Sequence, residues 1–128
     1  MKVVRTDSEL ELPQVDRRLR ELGATVVLLP ETTSTDALAR EVRDADLLLM
    51  CYAPIPAFVI DAATRLRGIV KYGVGIDAID IDAAMRRGIP VVNIPEYAEE
   101  TVAEGAMALM LALARKFKPL EREMESQG

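Results

Sequence analysis

Two glycines flank a valine at Gly73-Val74-Gly75, just after an apolar run, Gly68-Ile69-Val70. Glycine lets the backbone take conformations closed to other residues and lets a ligand come close. Successive exposed N–H groups at a strand end form a cradle for an anion, so a small carboxylate could be held there with no charged side chain. From spacing alone, a tight strand-to-helix turn with no ligand is equally open, because short glycine loops are common. Cys51 and Tyr52 follow the apolar run Leu47 to Met50 and would line the same cleft; the alternative is a buried thiol and a packed ring. Thr101 stands near the start of a long helix, whose first N–H groups are free for an anion or an amide; its alternative role is capping. Asp77, Asp80 and Asp82 could pass for a carboxylate cluster, yet a helix cap at Asp80 and a dipole partner at Asp82 account for them. The chain has no histidine, which removes the commonest general base and metal ligand. No residue is assigned a catalytic role and no metal site is expected.

The elements that must carry these residues alternate. Lys2 to Arg5, Thr25 to Leu29, Leu47 to Met50, Gly68 to Lys71 and Ile89 to Val92 read as strands, rich in aliphatic and β-branched residues without polar alternation. Such strands are usually buried on both faces, as in parallel sheets. Pro13 opens a helix with Val15, Leu19 and Leu22 on one face, and Gly23 stops it. Ser34 or Thr35 caps a second, with Ala37, Leu38 and Val42 facing inward. Pro56 opens a third carrying Phe58, Val59, Ile60 and Leu66. A short one runs from Asp80 to Gly88. Strand, glycine loop, helix, strand is a βαβ unit. Right-handed crossovers then predict an α/β fold, a flavodoxin-like doubly wound parallel sheet of five strands in the order 2-1-3-4-5. Ligands of such sheets sit outside the carboxyl ends of the strands, where Gly73-Val74-Gly75 falls. Glu99-Glu100-Thr101 begins a long apolar C-terminal helix, and Val102 to Ala114 is apolar or small on nearly every face. A helix apolar all round is expected to be buried all round, one face against the sheet and the other against something these residues do not contain. Pro119 then opens a short charged helical stretch, Leu120 to Ser126.

Composition narrows the function classes. At 128 residues and half hydrophobic, the chain is one domain long and can bury a core without disulfides or metals. Its net charge of −5 and interspersed signs give no basic patch, so nucleic acid is not an expected partner. Cys51 is the only cysteine, which suits a reducing compartment. No leader is read before Val3-Val4, and Val102 to Ala114 is shorter than the roughly 20 residues that span a bilayer. A cytoplasmic protein with no membrane partner is expected. The dinucleotide fingerprint is absent because Gly73-x-Gly75 lacks its third glycine. The third strand ends in Met50-Cys51, not in a phosphoacceptor aspartate. Thr6-Asp7-Ser8-Glu9 is a poor, acidic substitute for a flavin phosphate loop.

The ordered set Lys71-Tyr72-Gly73-Val74-Gly75-Ile76-Asp77-Ala78-Ile79-Asp80, Ala83-Ala84, Arg87-Gly88-Ile89-Pro90-Val91-Val92-Asn93-Ile94-Pro95, Thr101-Val102-Ala103-Glu104 and Leu111-Ala112-Leu113-Ala114-Arg115 closely resembles the D-isomer-specific 2-hydroxyacid dehydrogenases. The dense part runs from about Ile60 to Lys116. The resemblance implies a substrate-binding domain over residues 1–98. It implies that 99–128 is an interdomain helix and stub leading to a Rossmann domain that these residues do not contain. It implies that Val74 and Gly75 offer N–H groups to the carboxylate of a small 2-hydroxy or 2-keto acid, that Tyr72, Gly73 and Cys51 line the pocket, and that Val74 and Thr101 face the nicotinamide of NAD or NADP. The family's catalytic arginine, glutamate and histidine and its cofactor fingerprint are not among these residues. The chain alone is therefore expected to bind no cofactor tightly and to transfer no hydride. A homodimer is expected, with the Val102–Ala114 helix as interface or exchanged between subunits. The rival expectation is a free-standing flavodoxin-like binding or interaction module.

Overall fold

A computed structural model describes residues 1–126. The chain divides into two units, Met1–Pro95 and Glu96–Gly128. The first holds five strands, β1 (Lys2–Arg5), β2 (Thr25–Leu28), β3 (Leu47–Met50), β4 (Ile69–Lys71) and β5 (Val91–Val92), and four helices, α1 (Pro13–Glu21), α2 (Thr35–Glu41), α3 (Ala57–Ala62) and α4 (Ile81–Arg86). The sheet is parallel throughout, in the order β2-β1-β3-β4-β5. Val3 lies opposite both Val26 and Leu47, and Val70 lies opposite Leu49 and Val92. The expected topology and order are observed.

Local chemistry sets the helix ends. Pro13 stands in the first turn of α1, where a missing N–H costs nothing. The Ser34 hydroxyl accepts from the Ala37 N–H at 3.2 Å and the Asp80 carboxylate from the Ala83 N–H at 2.8 Å. Gly23 (φ 78°) and Gly88 (φ 64°) end α1 and α4 in the left-handed region. The Gly88 N–H donates to the Met85 carbonyl at 3.0 Å and that of Ile89 to Ala84 at 2.9 Å; Gly23 and Ala24 do the same to Arg20 and Leu19 at 2.9 and 3.0 Å. Both are Schellman closures.

The larger core lies on the sheet face covered by α2, α3 and α4, where Val4, Leu48, Met50 and Ile69 meet Leu38, Val42, Val59, Ile60, Ala83 and Ala84. The opposite face holds a smaller cluster, Val3, Ala24 and Leu49, with Leu19 of α1 against it. Helices on both faces make the sheet doubly wound.

Several expectations are corrected. Val15 and Leu22 are exposed, and the buried residue of α1 is Asp16; the helix meets the sheet through the Arg5–Asp16 ion pair together with Leu19 rather than through all three expected apolar residues. β2 is not buried on both faces; it is an edge strand with one neighbour. Leu66 is buried but lies beyond α3, and β5 is confined to Val91–Val92.

The second unit contains α5 (Glu99–Ala114) and α6 (Phe117–Ser126). Glu99 and Glu100 in the first turn of α5 complement its dipole. Lys116, with φ 53°, turns the chain between the helices. Pro119 lies inside the first turn of α6 rather than before it, a position where its lack of an N–H is tolerated. The expectation that α5 is buried all round is not met, for neither α5 nor α6 has a buried residue. The last two residues of the expected 99–128 stub lie outside the described residues. Among the described residues, no helix is long and apolar enough to cross a membrane.

Candidate functional site

The carboxyl ends of β1, β3 and β4 lie side by side, and their side chains knit the rim. At the end of β1, Arg5 is 1% exposed. Its Nε and Nη2 donate to the two carboxylate oxygens of Asp16 at 3.0 Å each, and its Nη1 donates to the Leu10 carbonyl at 3.0 Å. Two residues on, Asp7 takes a left-handed backbone (φ 55°), which aspartate tolerates better than most. Its Oδ2 accepts from the Thr6 hydroxyl at 2.5 Å and from the N–H groups of Cys51, Tyr52 and Ala53 at 2.8, 3.1 and 3.4 Å. Burial would raise the pKa of this carboxyl, but these four donors outweigh it and hold it below the usual 3.8. Asp7 Oδ1 is buried and has no partner among the described residues.

At the end of β4, Lys71 reaches across to the segment that follows β3. Its ammonium donates to the Cys51 carbonyl, lies 3.9 Å from Cys51 Sγ, and stands 5.4 Å from the centre of the Tyr52 ring. Gly73 makes room for it, since a Cβ there would come 3.0 Å from Lys71 Cε. Tyr72 is pinned by its hydroxyl, which donates to the Thr6 carbonyl at 2.6 Å, and by its N–H, which donates to Met50 at 3.0 Å. Burial, opposed by the Arg5 guanidinium and helped by the Asp7 carboxylate, lifts its hydroxyl to a pKa of about 12.

The glycine segment is held between fixed points. The Ile94 N–H donates to the Gly73 carbonyl at 3.1 Å and Asn93 Nδ2 to the Val74 carbonyl at 2.7 Å. Further on, Ile55 bridges to Ile79 and its carbonyl accepts from Asp80 at 2.9 Å. All peptides are trans, so each N–H points opposite its own peptide's carbonyl. With the Gly73 and Val74 carbonyls turned to the segment after β5, the Val74 and Gly75 N–H groups both point away from it. Among the described residues neither N–H has an acceptor, and both residues are exposed. Paired unfilled donors at a sheet rim can grip a carboxylate.

The structure brings Cys51, Tyr72, Gly73, Val74 and Gly75 together across neighbouring strands, with Cys51 Sγ donating to the Tyr72 carbonyl at 3.6 Å. Thr101 belongs to the second unit, in the first turn of α5, and makes no capping hydrogen bond there. One expectation is corrected: neither Gly73 nor Gly75 uses a left-handed backbone. Gly73 serves the passage of Lys71 instead. Asp7, Lys71 and Asn93 organise the rim; reading the sequence named them only within longer segments and gave them no part in the site. The signal for Asp7 is an aspartate just past a strand, a position suited to positive φ.

Two kinds of relative match. A glyoxylate reductase from Thermococcus kodakarensis is 44% identical over 82 residues, 63% of this chain and 25% of that protein. A D-3-phosphoglycerate dehydrogenase from Archaeoglobus fulgidus is 43% identical over 93 residues, 72% of this chain and 18% of that protein. Among solved structures, the NAD+-bound 3-phosphoglycerate dehydrogenase of Entamoeba histolytica superposes with a TM-score of 0.74 at 27% identity, over 88% of this chain and 38% of that one. This chain thus spans about a quarter or less of the length of the two sequence relatives. The family model described as D-isomer specific 2-hydroxyacid dehydrogenase, catalytic domain, matches residues 5–117, and the chain belongs to that family.

Proposed function

We propose that this chain is the acid-binding part of an NAD(P)-dependent D-2-hydroxyacid dehydrogenase, with residues 1–98 as the substrate domain and 99–128 leading toward a dinucleotide-binding domain. One observation supports it: on the two consecutive exposed residues Val74 and Gly75, just past the carboxyl end of β4, neither N–H has an acceptor among the described residues, and the hydrogen bonds from Ile94 and Asn93 set their direction. The carboxylate of a small 2-hydroxy or 2-keto acid sits on them, with Tyr72, Gly73 and Cys51 lining its seat. Val74 and Thr101 are the residues of this chain that would face a nicotinamide, which supplies the hydride chemistry when bound. The 128 residues contain no histidine and no G-x-G-x-x-G turn, so alone they orient the acid and transfer no hydride. The exposed apolar residues of α5 serve a homodimer. The reading as a free-standing binding module draws on the completeness of the five-stranded sheet within the first unit.

Titration of the isotope-labelled chain with glycolate tests the acid seat. The amide resonances of Val74 and Gly75 should move saturably, while those of Lys2 and Asp46 at the opposite end of the sheet stay put. Glycolate that leaves Val74 and Gly75 unmoved would refute the reading.

A further inference from the structure

The sequence relatives divide between an enzyme named for glyoxylate and one named for a phosphorylated acid, at nearly equal identity. The rim itself discriminates between these chemistries. A phosphoryl group adds a second, strongly hydrated anion, and leaving water for a protein site needs charged or forked donors. The cationic side chains at the carboxyl ends of β1 and β4 are Arg5 and Lys71. Arg5 is spent on both oxygens of Asp16 and is buried. Lys71 is 7% exposed, bent inward onto the Cys51 carbonyl, and flanked by the Tyr52 ring, itself 67% exposed. The end of β3 offers Met50, which points into the core, and then the uncharged stretch Cys51-Tyr52-Ala53-Pro54. A second set of backbone donors exists here, the N–H groups of Cys51, Tyr52 and Ala53. The Asp7 carboxylate already fills it, and that negative charge lies at the rim as well.

We propose that the seat at Val74 and Gly75 accepts compact acids bearing a single negative charge and rejects phosphorylated ones, because Lys71, the candidate cation at these strand ends among the described residues, is held inward by the Cys51 carbonyl and the Tyr52 ring. This rests on the reading of Val74 and Gly75 as a carboxylate seat. Lys71 also passes close to Gly73, where an added Cβ would come 3.0 Å from its Cε and 3.4 Å from its Nζ.

Glycolate, D-glycerate and 3-phospho-D-glycerate decide it, titrated into the full chain at neutral pH and constant ionic strength with the Val74 and Gly75 amides as the readout. Glycerate and its phosphate ester differ only in the phosphoryl group. Glycolate and glycerate should bind, and phosphoglycerate should bind more weakly than glycerate by about tenfold or more, the scale of an unmatched charge at a recognition site. Equal or tighter binding of phosphoglycerate overturns the proposal and leaves the carboxylate seat standing. Failure of glycerate along with its ester, while glycolate binds, makes tail size rather than charge the filter and also overturns it. Failure of all three removes the seat beneath it. Tyr52→Ala, at an exposed position, should remove one of the two holds on the ammonium and narrow the gap between glycerate and its ester; an unchanged gap in a folded variant would contradict the role given to the Tyr52 ring.

Discussion

Asn93 donates to the Val74 carbonyl at 2.7 Å, and this bond turns the Gly75 N–H toward the proposed seat. Asn93→Ala should therefore weaken glycolate binding about two- to tenfold, the range of one hydrogen bond of about 0.5–1.5 kcal/mol. The urea midpoint should barely shift, since the bond is exposed. An unaltered dissociation constant by amide titration would contradict that role. Tyr72 gives a pH prediction. Its hydroxyl is raised from the usual 10.0 to about 12, first by burial. The neutral phenol is thus favoured in the folded state. Its contribution to stability is full below pH 10 and fades as pH rises toward 12. Ultraviolet titration of the folded chain should show one tyrosine ionising near pH 12, and Tyr72→Phe should abolish that late step. Glycine at 73 and 75 was legible in the sequence as a place of close approach, but its use differs. The partners of Asp7 and Lys71 lie 44 and 20 residues away, a separation that no local pattern encodes.

At the scale of elements, helix ends followed local rules, and so did the inward residues of α2 and α3, Leu38, Val42, Val59 and Ile60; the face of α1 did so only at Leu19. Pro13, Ser34, Asp80, Gly23 and Gly88 act within a turn of where they stand, so their roles could be read directly. Gly88 illustrates the energetics. Its φ is 64° and an added Cβ would meet nothing within 4 Å, so the cost of Gly88→Ala is purely conformational. That cost should be about 1–2 kcal/mol by urea denaturation, and Gly88→Asn should lose less. Helix α1 behaves otherwise. Its buried residue is Asp16, which pairs with Arg5 on β1. Asp16→Ala strands a buried guanidinium and should cost about 3–5 kcal/mol. The double variant Arg5→Met, Asp16→Leu should recover most of it; equal losses in the single and double variants would mean that the pair is not the source.

At the scale of the whole molecule, α5 presents Met107, Leu109, Met110, Leu111 and Leu113 to solvent. Contiguous apolar surface of several hundred Å² normally finds a partner, and a twofold dimer is the commonest closed solution. Light scattering should give twice the mass of 14.1 kDa. Replacing Leu109 and Leu113 with Glu should return the monomer without lowering the melting temperature of the sheet. A monomer at every concentration would end the dimer proposal.

The sequence alone determined the parallel α/β architecture, its strand order and the family. Strand hydrophobicity, helix caps and the motif from Lys71 to Pro95 are local or ordered along the chain, and crossover handedness leaves little topological choice. The tertiary structure alone decided which backbone donors remain free. The segments after β1, β3, β4 and β5 meet there, so that Asp7 fills the donors after β3, Lys71 closes on Cys51, and Ile94 and Asn93 set the Val74 and Gly75 N–H groups facing away from them. Each of these contacts joins segments distant in the chain, and hydrogen-bond capacity at a rim is known only once every neighbour has taken its share.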